Sequence, residues 1–175
     1  MENQSLPENS ASFLTGLFKN PRNAENIYNE LLKKGYKKEN ITLIMSEDTQ
    51  RKYFSNVERA QDTVGNKALE GAAVGGAVGG ALGAIAAAVA VVGSTLVIPA
   101  LGIVVAGSLA ASFAGAGAGA AAGGILGALV GWGIPHVDAE KYEKGIKEGG
   151  VVIGVTPLTS NDYTLLKDEW NTYQD

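Results

Sequence analysis

Between Gly71 and Pro135 the chain runs for 65 residues without one Asp, Glu, Lys or Arg, and 17 of those residues are Gly and 20 are Ala. The 14 Lys plus Arg and 18 Asp plus Glu all lie outside this block. A soluble domain spreads charge over every surface element, so such a block has to be covered by lipid or by protein. Its glycines follow no strict three-residue period, which excludes collagen. The absence of cysteine excludes a disulfide framework and a Cys-based zinc or redox site. A net charge of −4 and the lack of a long basic run argue against nucleic acid as a partner. Met1–Ser12 carries Glu2 and Glu8 and no apolar core, so no secretory signal is read there.

Within the block, Leu69–Val92 and Ile103–Trp132 are runs of 24 and 30 residues. As helices they would be about 36 and 45 Å long, longer than the roughly 30 Å hydrocarbon core of a bilayer. Gly93–Gly102 between them holds Gly93, Ser94, Pro99 and Gly102, which break a helix and let the chain reverse. Gly71, Gly75, Gly79 and Gly83 repeat at four in the first run, and Gly115, Gly119, Gly123, Gly127 and Gly131 repeat at four in the second. Spacing of this kind leaves a bare stripe on which helix backbones can touch, as in close helix packing within membranes. Val74, Val78, Leu82, Ile85, Val89 and Val92 form a bulkier stripe about 120–130° away. Residues 67–136 are therefore expected to be a glycine-zipper α-helical hairpin, a candidate transmembrane element, with these nine glycines as the helix-packing and oligomerisation positions. The Val, Leu and Ile of the first run supply only about −2 to −4 kcal/mol toward insertion. The alternative is the same hairpin buried in a soluble homo-oligomer, a shell, ring or filament. A lone monomer would expose too large an apolar patch.

The flanks read as one small α+β domain, residues 12–66 plus 137–175, preceded by a polar tail at 1–11. Phe13–Phe18 is short and partly alternating, and Asn20 with Pro21 opens a helix carrying Ala24, Ile27, Tyr28, Leu31 and Leu32 up to Gly35. Ile41–Met45 follows as a strand, which completes a βαβ unit with its two strands parallel. Ser46–Thr63 is a polar connector. Beyond the block, Asp138 can cap a helix through Lys147, Val151–Val155 is a strand, and Ser160–Asn161 forms a turn before a helix carrying Leu166 and Trp170. A two-stranded sheet is marginal in water, so the three strands are expected to share one βαβ…αβ sheet interrupted by the hairpin.

The segments "FLTGLFKNPRNAENIYNELLKKGYKKENITLIMSEDT", "KALEGAAVGGAVGGALG" and "GILGALVGWGIPHVDAEKYEKGIKEGGVVIGV" resemble bacterial general stress proteins, in which a heat-induced stress protein domain is joined to a glycine-zipper hairpin, sometimes labelled low-temperature-induced protein. The resemblance spans Phe13–Val155. It implies a bacterial, cytoplasm-facing, stress-associated protein without a well-defined biochemical activity, and it names no catalytic residue.

The residues themselves offer little chemistry. His136 is the one histidine, which rules out a His-centred triad or a multi-His metal site within one chain. It is read as marking the return to water after Pro135, with Trp132 as an interfacial anchor or packing residue. No Gly-x-Gly-x-x-Gly follows a strand and no Gly-Lys-Ser/Thr loop occurs, so a nucleotide site is unsupported. Lys33, Lys34, Lys37 and Lys38 read as a solvated helix end, and Glu140, Glu143 and Glu148 interleave with Lys141, Lys144 and Lys147 as surface ion pairs. No catalytic, cofactor or metal residue is assigned. The expected protein is non-enzymatic and self-associating in the bacterial inner membrane with both termini cytoplasmic, its partners itself and lipid. A cytoplasmic assembly is the alternative, and an oligomeric pore ranks last because the block's few hydroxyls make a poor lumen.

Overall fold

The computed structural model describes residues 13–54, 85, 95–107, 110 and 117–173. In chain order these form β1 (Leu14–Phe18), α1 (Pro21–Lys33), a 3-10 turn at Lys38–Asn40, β2 (Ile41–Ser46), α2 (Glu47–Tyr53), β3 (Leu96–Ile98), β4 (Ile103–Ala106), α3 (Gly117–Gly131), α4 (His136–Lys147), β5 (Val151–Val155) and α5 (Ser160–Asn171). The class is α+β. One five-stranded sheet has the order β1-β5-β2-β4-β3, and every adjacent pair is antiparallel.

The three strands expected from the flanks do lie in one sheet. β1 and β2 each pair antiparallel with β5, through Leu17↔Val152 and Ile44↔Val152, so they run parallel to each other with β5 between them. The sheet does not stop at three strands, however. Ile103–Ala106, expected to open the second long helix, is instead a strand on the far edge of β2, with Met45↔Val104 and Leu43↔Ala106 in register. Its β-branched run suits a pleated, two-sided surface. Pro99–Gly102 reverses the chain into a β-hairpin rather than between two helices, with Leu101 N–H donating to Ile98 O at 3.0 Å and Glu47 N–H donating to Gly102 O at 2.9 Å. The Ile103–Trp132 helix is thus corrected to a strand followed, after residues outside the described set, by α3. That helix is itself broken at Gly124, whose φ of 63° and ψ of −152° no L side chain adopts readily. The first long run, apart from Ile85, also lies outside the described residues.

Alternation along the strands builds two cores. On one side Leu14, Phe18, Leu43, Met45, Val104, Val151 and Ile153 meet Ala24, Ile27, Tyr28 and Leu31 of α1 and Leu166 and Trp170 of α5. The Trp170 ring sits edge-on to Phe18 at 5.6 Å. On the other side Ile44, Ile103, Val105 and Val152 meet Ile125, Ala128 and Leu129 of α3 and Ala139, Tyr142 and Ile146 of α4. Local signals set the helix starts. Asn20 caps α1 by accepting from Arg22 N–H at 2.9 Å, with Pro21 in its first turn. Ser46 caps α2 through Thr49 N–H at 3.1 Å. Two expected boundaries move. Asp138 lies in the first turn of α4 rather than at its cap, which is Pro135, and Ser160 and Asn161 are already helical because Thr159 accepts from Asp162 N–H at 3.1 Å.

Two buried tyrosines make the fold sensitive to alkali. Burial, followed by the nearby carboxylates of Glu25 and Glu39, holds the Tyr28 hydroxyl well above its ordinary range. Burial also raises Tyr142, partly offset by its hydrogen bond to Thr15 Oγ1 at 3.0 Å. A raised folded pKa keeps the proton bound in the folded state while the unfolded tyrosine ionises above about pH 10, so stability is full below that pH and declines above it. The two hydroxyls differ at neutral pH, since Tyr28 Oη meets no hydrogen-bond partner among the described residues. Tyr28→Phe is expected to stabilise the protein by up to about 1 kcal/mol and Tyr142→Phe to destabilise it by about 1 kcal/mol. Both should flatten the alkaline decline in urea denaturation between pH 8 and 11. Equal neutral-pH losses for the two variants would contradict this account of the cores.

Candidate self-association surface

Along α3 the inward positions Ile125, Ala128 and Leu129 are buried in the second core with side chains of the sheet and of α4, which turns Val130 and Gly131 outward, and Gly123 is exposed just before the break at Gly124. Val130 is 39 % exposed and, past the turn, Val137 is 64 % exposed. The turn itself is closed by Gly133 N–H donating to Val130 O at 2.9 Å and Ile134 N–H donating to Leu129 O at 3.2 Å. Trp132 is half-buried and packs on the second core, which fits the packing role rather than an isolated anchor. Among the described residues, a methyl group added at Gly123 or Gly131 would meet nothing within 4 Å. This surface therefore has room over its glycines and carries no charge anywhere from residue 117 to 135.

Among the nine glycines of the expected packing stripe, Gly119, Gly123, Gly127 and Gly131 lie in α3. Gly71, Gly75, Gly79, Gly83 and Gly115 lie outside the described residues. The break at Gly124 divides the second stripe, so Gly119 and Gly127 do not share one straight helical face. Among the described residues no helix is long and apolar enough to cross a membrane.

The surface beside α3 has the opposite character. Along α4, Lys147 pairs with Glu143 at 2.8 Å, Lys141 with Asp138 at 3.6 Å and Lys144 with Glu148 at 3.9 Å, all at helical spacing. His136 is exposed and lies 3.3 Å from Glu140. At the end of α1, Lys33 pairs with Glu30, and Lys34 reaches Glu169 on α5. These are the solvated helix surfaces that the sequence suggests, and exposed pairs of this type contribute little stability. No group of three or more His, Asp or Glu that could hold a metal occurs among the described residues.

One polar residue was not singled out by sequence reasoning. Glu25 is 2 % exposed, the one charged side chain buried among the described residues. Ile85 N–H, from the middle of the charge-free block, donates to it, 3.2 Å from Oε2 and 3.3 Å from Oε1. The signal was present in the helical pattern, because Glu25 stands three residues before Tyr28 on the flank of the apolar stripe.

No family model, curated protein or solved structure matches this chain.

Proposed function

We propose that this chain is a non-enzymatic, self-associating protein of the bacterial stress-associated kind, and that its charge-free block works on two sides. The inner side completes the domain, through β3, β4 and the buried face of α3. The outer side is where copies meet. The observation that carries this reading is the uncharged, exposed Gly123, Val130 and Gly131 of α3, with exposed Val137 at the start of α4, beside the dense charge of the rest of α4. Small residues let a second backbone approach closely, and desolvating such a surface costs no charge. The polar groups inside the fold support a structural role: Thr49 and Ser46 bond each other at 2.8 Å in a helix cap, and Thr15 ties β1 to Tyr142. A second reading places the same face against a membrane surface, favoured by the exposed Val130 and Val137.

Val130→Glu tests the reading, since its side chain is half out of the core. It is expected to leave thermal unfolding within about 0.5 kcal/mol of the parent and to weaken association at least about tenfold. Leu165→Glu, on α5 across the sheet and 56 % exposed, is the matched control and should leave association unchanged. Sedimentation at graded concentration reads association, and flotation with phosphatidylglycerol vesicles reads the membrane alternative. Equal behaviour of the two variants in both assays would reject this surface.

A further inference from the structure

We infer that the outer edge of β3 is where two copies of the chain join, pairing antiparallel about a two-fold axis at Val97 into one ten-stranded sheet. The inference rests on the self-association proposed above and gives it a geometry. The two edges of the sheet are unlike. β1 is covered on both faces, with Phe18 buried under Trp170 of α5, Leu17 lying against Gly145 of α4 and Thr15 bonded to Tyr142, and it runs directly into Lys19. At β3, Val97 is 48 % exposed, Leu96 and Ile98 are half-buried, and no further strand lies beyond it among the described residues. An edge of unpaired N–H and C=O groups invites another strand, and proteins usually guard it with charge. Here the guard is missing, because β3 lies within the 65 residues that carry no charge and Pro99 comes only after its last residue.

A second copy is the occupant that this edge fits, because Leu96-Val97-Ile98 is its own complement. Turned about Val97, it sets Val97 opposite Val97 of the second copy and Leu96 opposite Ile98, apolar against apolar on both faces and with no charge to desolvate. Leu96 and Ile98 belong to the second core. α4 packs over β1, β5 and β2 and α3 lies beside it, so α3 covers the β4–β3 end of that core. A two-fold through the β3 edge therefore puts the uncharged α3 helices of both copies on one side of a continuous sheet, at its middle. Such an interface uses one edge per copy, so assembly through it closes at two chains.

The test uses the full chain, which has no cysteine of its own, so one introduced thiol reports on one position. Val97→Cys sets two thiols opposite each other at the two-fold, where Cα atoms of paired strands lie about 4.5–5.5 Å apart, within disulfide reach. With oxidised glutathione it is expected to give linked dimers at least about tenfold faster than Leu165→Cys, which is also exposed but lies on α5. Val97→Lys supplies the missing guard at an exposed position, and should raise the association midpoint in sedimentation velocity at least about tenfold with thermal unfolding unchanged. Amide exchange of the unmodified protein needs no substitution and decides the matter if a variant does not fold. Across that midpoint, exchange within Leu96–Ile98 should slow about tenfold while the amides of α5 keep their rates. Equal cross-linking of the two cysteine variants, an unmoved midpoint in Val97→Lys, or β3 amides indifferent to concentration in a protein that associates would each overturn the inference. Loss of association in Val130→Glu would then leave the α3 surface standing without the edge. A protein monomeric at every concentration would overturn both.

Discussion

Gly107→Ala is expected to destabilise the protein by about 4 kcal/mol or more, enough to leave much of the chain unfolded at 25 °C. Gly107 follows β4 with φ at +95°, a backbone region that L side chains rarely adopt. A Cβ there would fall 1.9 Å from Ile41 O and 2.8 Å from Ile41 C. Those are main-chain atoms at the start of β2, which is paired on both sides, so nothing can yield without breaking ladder bonds. The overlap adds to the cost of roughly 1–2 kcal/mol for the left-handed conformation alone. Gly102 provides the comparison, with φ at +64° and, among the described residues, nothing within 4 Å of an added Cβ. Gly102→Ala should therefore cost only the conformational part, about 1 kcal/mol. Urea denaturation of both variants gives the difference. Similar losses at the two positions would mean that β4 does not leave the sheet where Gly107 places it.

The second large effect concerns the block as a whole. Replacing residues 67–135 by a short flexible linker is expected to leave no folded domain. The cut removes β3, β4 and α3, and with them Ile103, Val104, Val105, Ile125 and Leu129, all buried. At about 1.5–3 kcal/mol for each large apolar side chain, the loss is on the order of 10 kcal/mol, comparable to the whole stability of a domain this size. It also leaves Ile44 and Val152 covered on one face by α4 alone and opens the β2 edge. The shortened chain should give amide NMR spectra with little dispersion. Well-dispersed spectra would mean that the flanks form an independent sheet and that the block is an appendage.

Much of the fold can be read from local chemistry. Asn20-Pro21 and the spacing of Ala24, Ile27, Tyr28 and Leu31 define α1 because cap, first-turn proline and apolar period agree. Ile41–Met45 and Val151–Val155 are recognisable as central strands because both faces of each are apolar. β3 and β4 escape the same reasoning. Leu96–Ile98 is only three residues long and abuts Pro99, while Ile103–Val105 merges into an apolar run whose period fits either helix or strand. Their identity is decided by a tertiary requirement, the second edge of β2, that no local window contains. The break in α3 is equally hidden, since Gly124 is one glycine among many and nothing in the local pattern sets it apart. The candidate surface was legible in part. The absence of charge marks the block as needing cover, but which side meets the sheet and which remains open at Gly123, Val130 and Gly131 depends on the turn at Trp132–Gly133. Glu25 shows the opposite case, a charged residue whose place in the apolar pattern foretells burial although its partner, Ile85, is set by the fold.

Native mass measurement of the unmodified protein in detergent-free buffer, across a range of concentrations, tests the central claim most directly. The uncharged outer surface predicts species heavier than the 18.0 kDa chain, with a share that grows as concentration rises. A single 18.0 kDa monomer at every concentration would contradict it.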